Sequence, residues 1–185
     1  MLQDIIRYLE TAESESSAIA DSEVRGWMSG DDPEVLGATY AFFTNAELVQ
    51  RITPSMSFDD VFEFVIRSYE FCLRNDPQGD LVDDRFSTAC NFVSAFVSMW
   101  DEGRDRKYFR EMKSLLSHLY TEGPGDLKDS IELAIVEHLF EREDIREFFS
   151  DWRDDPQLQP AYEAGKLWAE GGGTSPLTQS RSKQP

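Results

Sequence analysis

From Leu81 to Trp100, apolar residues recur at three- and four-residue spacing: Leu81, Phe86, Ala89, Cys90, Phe92, Val93, Phe96, Val97 and Trp100. They cover more than half the circumference of a helix, which is the pattern of a helix packed on several sides. The same period runs along most of the chain. It appears in Leu2, Ile5, Ile6 and Leu9, then in Leu36, Tyr40, Phe43 and Leu48, and again in Val61, Phe62, Val65, Tyr69, Cys72 and Leu73. Further on it carries Phe109, Met112, Leu115, Leu116 and Leu119, then Leu127, Ile131, Ala134, Ile135, His138 and Leu139. Shorter stretches hold Ile145, Phe148, Phe149 and Trp152, and finally Leu158, Tyr162, Leu167 and Trp168. Strand-like alternation, hairpin dipeptides and long repeats are absent from the sequence. The pattern predicts an all-α fold, a single-domain antiparallel helical bundle of about seven or eight helices over residues 1–170.

Punctuation between these runs agrees with helix chemistry. Pro33 behind Asp31 and Asp32 suits a first helical turn, where its missing N–H costs nothing. Ser57 with Asp60 three residues on reads as a capping arrangement. The run Asn75 to Gly79 breaks a helix and Asp80 is expected to cap the next; Gly103 reads as a closing residue, and Gly123-Pro124-Gly125 as a break. Residues 11–30 are polar and read as a loop or a weakly held helix, within a looser subregion over residues 1–50. Residues 171–185, rich in Gly, Ser and Pro, read as a disordered tail.

A chain of 185 residues buries about 70% of its unfolded surface, so it needs neither disulfides nor metal to fold. Cys72 and Cys90 lie among large apolar neighbours without CxxC spacing and read as free core thiols. The first residues are acidic and lack the pattern of a signal peptide. The longest uncharged run, Phe86 to Trp100, is too short and too polar to span a bilayer. A cytoplasmic protein is expected.

Charge narrows the partners. Thirty-six Asp and Glu against 18 Lys and Arg leave −18. That sign opposes direct binding to nucleic acid or an anionic membrane. Net negative charge is greatest in residues 1–50, where ten acids face two bases, with further acidic patches at Asp80, Asp83 and Asp84 and from Glu141 to Asp155.

Catalytic and metal signatures are missing. The Asn75–Asp80 run places Pro77 where a calcium loop needs a ligand. Neither His118 nor His138 has Glu three residues before it, as a di-iron bundle requires. HExxH, GxSxG and phosphate-loop motifs are absent. His138 reads as a core histidine and His118 as a surface one. The carboxylate pairs Asp59/Glu63 and Asp80/Asp84 are what this acid density supplies by chance. No catalytic, cofactor-binding or metal-ligating residue is assigned, and the chain reads as non-enzymatic.

Three segments carry a resemblance: FDDVFEFVIRSYEFCLRNDPQGDLVDDRFSTACNFVSAFV (58–97), GDLKDSIELAIVEHLF (125–140) and DPQLQPAYEAGKLW (155–168). From Ser57 to Trp168 the chain resembles a largely uncharacterised family of small acidic, all-helical bacterial proteins that look like immunity proteins of polymorphic toxin systems. The resemblance implies a binder that neutralises a basic toxin or effector by offering carboxylates to it. The candidate acids are Asp31, Asp32, Asp83, Asp84, Glu141, Glu143, Asp144, Asp151, Asp154 and Asp155. The candidate aromatic anchors beside them are Trp27, Trp152 and Tyr162. An alternative is an acidic nucleic-acid mimic that inhibits a DNA-binding enzyme. Arg67, Arg74 and Arg85 interrupt the acidic strip such a mimic would need.

Overall fold

Ser57 accepts a hydrogen bond from the Asp60 backbone N–H while the Asp60 carboxylate accepts one from the Ser57 N–H. This reciprocal box starts the longest helix among the described residues, as its sequence predicts. The structure is a computed structural model that describes residues 1–12, 16–80 and 82–171. It is all-α, with one two-residue parallel bridge among the described residues. Its contacts divide it into two compact units, Met1–Asp84 and the chain from Arg85 onward. The sequence reading draws one bundle instead, because periodicity marks which face of a helix is apolar and not which partner that face finds.

The first unit holds α1 (Leu2–Glu10), α2 (Asp21–Met28), α3 (Pro33–Thr44), α4 (Ala46–Gln50) and α5 (Phe58–Asn75). Helix α3 is its hub, packing against α1, α2, α4 and α5. Pro33 stands in the first turn of α3 and the Asp32 carboxylate accepts the Glu34 N–H, closing an orphan donor. Asn45 ends α3 and caps α4 through the N–H groups of Glu47 and Leu48, splitting a segment that reads as one helix. Within the polar stretch before Gly30, α2 forms because its Val24 and Trp27 insert into a core with Ile5, Phe42 and Leu48. The bridge pairs Ile19 with Ile52, and both side chains join that core.

The second unit holds α6 (Arg85–Asp101), α7 (Arg106–Glu122), α8 (Gly125–Ile131), a π-helical turn (Glu132–Val136), α9 (Glu137–Phe140), α10 (Glu143–Phe148), a 3₁₀ turn (Ser150–Asp154) and α11 (Gln159–Glu170). Helix α6 begins later than its apolar run suggests. Leu81 lies outside the described residues, and Phe86 is 69% exposed, so Phe86 is not core. Asp80 does not cap α6; its backbone N–H is instead taken by Asp76. Gly103, at φ +68°, closes α6 in the left-handed region. The core joins Phe92, Phe96, Met112, Leu116, Ile135, Phe140, Phe149 and Trp152. Gly165 lets α11 approach closely, since a Cβ there would meet Val136 Cγ1 at 2.7 Å and Phe140 Cδ2 at 2.8 Å. Of the tail read over 171–185, everything from residue 172 lies outside the described residues.

Candidate binding surface

The three aromatic anchors proposed from sequence are all core residues. Trp27, 2% exposed, packs between the rings of Tyr8 and Phe42. Trp152, 1% exposed, sets its ring edge-on to Phe149 at 4.9 Å and donates Nε1–H to Ser117 Oγ. Tyr162 is buried against Phe140. A side chain so enclosed has no face to offer a partner, and proximity to acids in sequence does not change that.

Several of the acids are also committed inside the protein. The Glu141 side chain is only 5% exposed; it accepts Trp168 Nε1–H at 3.1 Å and lies 3.2 Å from His138 Nδ1. Asp144 takes Arg142 through both carboxylate oxygens and Trp100 Nε1–H at 2.7 Å. Burial opposes the Asp144 charge, but Arg142 and Trp100 outweigh it and hold the carboxyl below the usual range. Asp83 and Asp84 are half-buried in the loop before α6, where Asp84 backs onto Gly79 at φ +76°. A Cβ at Gly79 would meet the Asp84 nitrogen at 2.6 Å, so that turn requires glycine. Glu141 is therefore withdrawn as a partner contact, and Asp144 is tied to a structural latch.

Of the acids proposed from sequence, the exposed ones are Asp31 and Asp32 in the first unit and Glu143, Asp144, Asp151 and Asp154 in the second. In the first unit Asp31 and Asp32 are exposed at the start of α3, with Glu34 beside them. In the second, Glu143, Asp151 and Asp154 are exposed, and Asp155 is half-buried while accepting the Gln157 N–H. Glu147 is exposed too and completes a series at 143, 147, 151 and 154. Glu143 and Glu147, four apart, share a face of α10, and Asp151 and Asp154 belong to the 3₁₀ turn that follows it. Glu147 falls within the patch read from Glu141 to Asp155 but is not singled out there.

This series lies on a rigid base. Phe148 and Phe149 meet edge-on at 5.6 Å, and Phe149 meets Trp152. Lys113 places its ammonium 5.0 Å from the Phe148 ring centre, donates to the Phe148 carbonyl and pairs with Asp151. The Asp151 side chain nevertheless keeps 71% of its surface in solvent. An open recess of about 510 Å³ adjoins it, lined by Arg110, Lys113, Ser117, Phe148, Asp151 and Asp155.

In the first unit a groove of about 560 Å³ runs between α2 and α5, with Met28, Phe64 and Ile66 in its lining. Its acids are largely occupied. The Arg25 guanidinium grips both oxygens of Asp60 at 2.9 Å and, with Ser57, holds the Asp60 carboxyl well below its ordinary value. Glu63 and Ser29 also line the groove. Among the described residues, no group of three or more His, Cys, Asp and Glu is placed to hold a metal ion, and no helix is long and apolar enough to cross a membrane. Comparison with known protein families, curated proteins and solved structures finds no match for this chain.

Proposed function

We propose that this chain is a non-enzymatic binding protein of the immunity type, which neutralises a basic toxin or effector in the bacterial cytoplasm. The observation that carries the reading is the exposed acidic series Glu143, Glu147, Asp151 and Asp154, standing over packed aromatic rings in a chain of net charge −18. Like-signed carboxylates held on a firm base keep their field directed outward. Such a field accelerates encounter with a basic partner, and short-range contacts then set how long the complex lasts. Arg146 and Arg153 fall between these acids, so the series is a compact patch and not the unbroken ridge that would imitate a phosphate backbone. Neither nucleic acid nor a membrane is proposed as a direct partner.

The test is biochemical and genetic together. The purified chain is used to capture the product of the adjacent gene, and the same pair is co-expressed in cells that the product alone would kill. Complex formation with rescue supports the reading. A neighbour that is not toxic, or a toxic one that is neither bound nor neutralised, removes it.

A further inference from the structure

Helices α2 and α5 both pack on α3, and two arginines bridge them to each other. Arg25 of α2 grips Asp60 of α5, and seven residues further along α5 Arg67 donates to the Met28 and Gly30 carbonyls. These bridges hold the groove of about 560 Å³ open between the two helices. Asp60, Glu63, Phe64 and Arg67 line it at i, i+3, i+4 and i+7, one face of α5 over about 10 Å. Met28 and Ile66, half-buried, and the buried Phe64 give it an apolar surface. Two turns of a further helix present apolar side chains at the same spacing, which is how an amphipathic helix lies in a groove.

Charge selects the occupant. Residues 1–84, the first unit, hold 18 Asp and Glu against five Arg and no Lys, a balance of −13. Four of those arginines are engaged within the unit: Arg25 by Asp21 and Asp60, Arg51 by the Ser17 carbonyl, Arg67 by the two carbonyls, and Arg74 by Glu70. Glu63 stands exposed in the groove lining and joins no hydrogen bond or ion pair among the described residues. Past Arg67 an adjoining cleft adds Asp31 and Glu70. The field over the groove is therefore negative and favours a cationic partner. A second copy of this chain would set −13 against −13, so like charge opposes self-association there.

We infer that this groove seats a basic amphipathic helix of a partner protein, its apolar side on Met28, Phe64 and Ile66 and a lysine or arginine against Glu63. The inference rests neither on the immunity reading nor on the acidic series of the second unit. The test is titration of the full ¹⁵N-labelled chain with a synthetic Leu/Lys amphipathic helix of about 14 residues, four turns. Its Leu/Glu counterpart and a scrambled Leu/Lys peptide serve as comparisons. Saturable shifts centred on the amides of Met28, Glu63, Ile66 and Arg67 are expected with the amphipathic Leu/Lys helix, weaker ones with the scrambled peptide and none with Leu/Glu. Glu63→Gln should weaken binding about fivefold, the factor for removing a unit charge about 4 Å away in water. That variant replaces an exposed side chain without a partner, so folding does not confound it. Ile66→Gln should weaken binding further. Absence of saturable shifts in the wild-type chain overturns the inference, as do shifts centred on Glu143 to Asp154 instead of the groove. Equal binding of the Leu/Glu or scrambled peptide, or unchanged binding in Glu63→Gln, overturns it too. Shifts of the groove amides with chain concentration alone would give the groove to a second copy and overturn it as well.

Discussion

Asp76 shows how much one buried carboxylate can organise. Its side chain accepts the N–H groups of Asp80 at 2.8 Å and Val82 at 2.7 Å, and the residue is 3% exposed. In the sequence it stands in a run that fails as a calcium loop. The failed ligand pattern hides what the acid does, which is to tie the loop leading out of α5. Removing the acceptor of two part-buried hydrogen bonds costs about 1–3 kcal/mol. Asp76→Ala should lower the urea midpoint accordingly at unchanged m-value, and Asp76→Asn should lower it less because an amide oxygen still accepts. Equal midpoints for wild type and Asp76→Ala would show that water replaces the carboxylate. Gly165 presents the opposite balance of terms. Alanine in a helix gains about 1 kcal/mol over glycine, whereas overpacking a filled core costs about 1–3 kcal/mol. With Val136 and Phe140 atoms inside 3 Å of the new methyl, the steric cost wins, and Gly165→Ala should unfold at lower denaturant. The aromatic anchors were misread at this same scale. Sequence places Trp27 and Trp152 next to acids, but burial is decided by which turn of the helix faces the core.

At the scale of elements, helix starts are legible where a side chain closes a backbone donor locally. Asp32 with Pro33 and Ser57 with Asp60 are such cases, and each is contained within four residues. The π-helical turn at Glu132–Val136 is not legible, because one wide turn leaves the apolar spacing on either side nearly intact. Tertiary use of a cap residue is equally hidden. Asp60 caps α5 and also receives both terminal nitrogens of Arg25 from α2, thirty-five residues away. Its folded carboxyl titrates below the ordinary value of about 4, chiefly through the Arg25 hydrogen bonds and then Ser57. A depressed folded value contributes stability above the unfolded value, and that contribution disappears as pH falls through about 4 toward the folded one. Asp60→Asn should therefore be less stable than wild type at pH 7, and the gap should narrow by pH 3. Urea midpoints at the two pH values provide the comparison. A gap that stays constant would assign the loss to geometry instead of charge.

At the scale of the whole molecule, the all-α class follows from periodicity alone, while the division at Asp84 and Arg85 does not. The loop that divides the units reads in sequence as an ordinary break before the next helix. The charge, by contrast, is fully legible as a sum and only partly as a surface, since Glu141 is spent internally and Asp144, though exposed, is held by Arg142 and Trp100. Among the exposed acids, two sets adjoin the residues proposed from sequence: Asp31, Asp32 and Glu34 in one unit and Glu143, Glu147, Asp151 and Asp154 in the other. This separation makes the docking proposal decidable by kinetics. Converting each set to amides changes charge with little change of shape, and Asn serves as well as Asp in capping α3. Lys113, its side chain 13% exposed, keeps the Phe148 carbonyl and the Phe148 and Phe149 rings when Asp151 becomes an amide, and urea midpoints of each amide set check that its unit stays folded. Against a bound basic partner, the second set should slow association more than the first, and each should change dissociation less than association. Raising salt from about 0.1 to 1 M shortens screening from about 10 to 3 Å and should slow the wild-type association while hardly affecting the neutralised chain. Trp27→Ala acts differently, because loss of a buried indole costs about 3–5 kcal/mol of folding and reports nothing about an interface. If stopped-flow association proves indifferent to salt and to both amide sets, electrostatic steering is excluded, and the −18 charge serves the solubility of the chain alone.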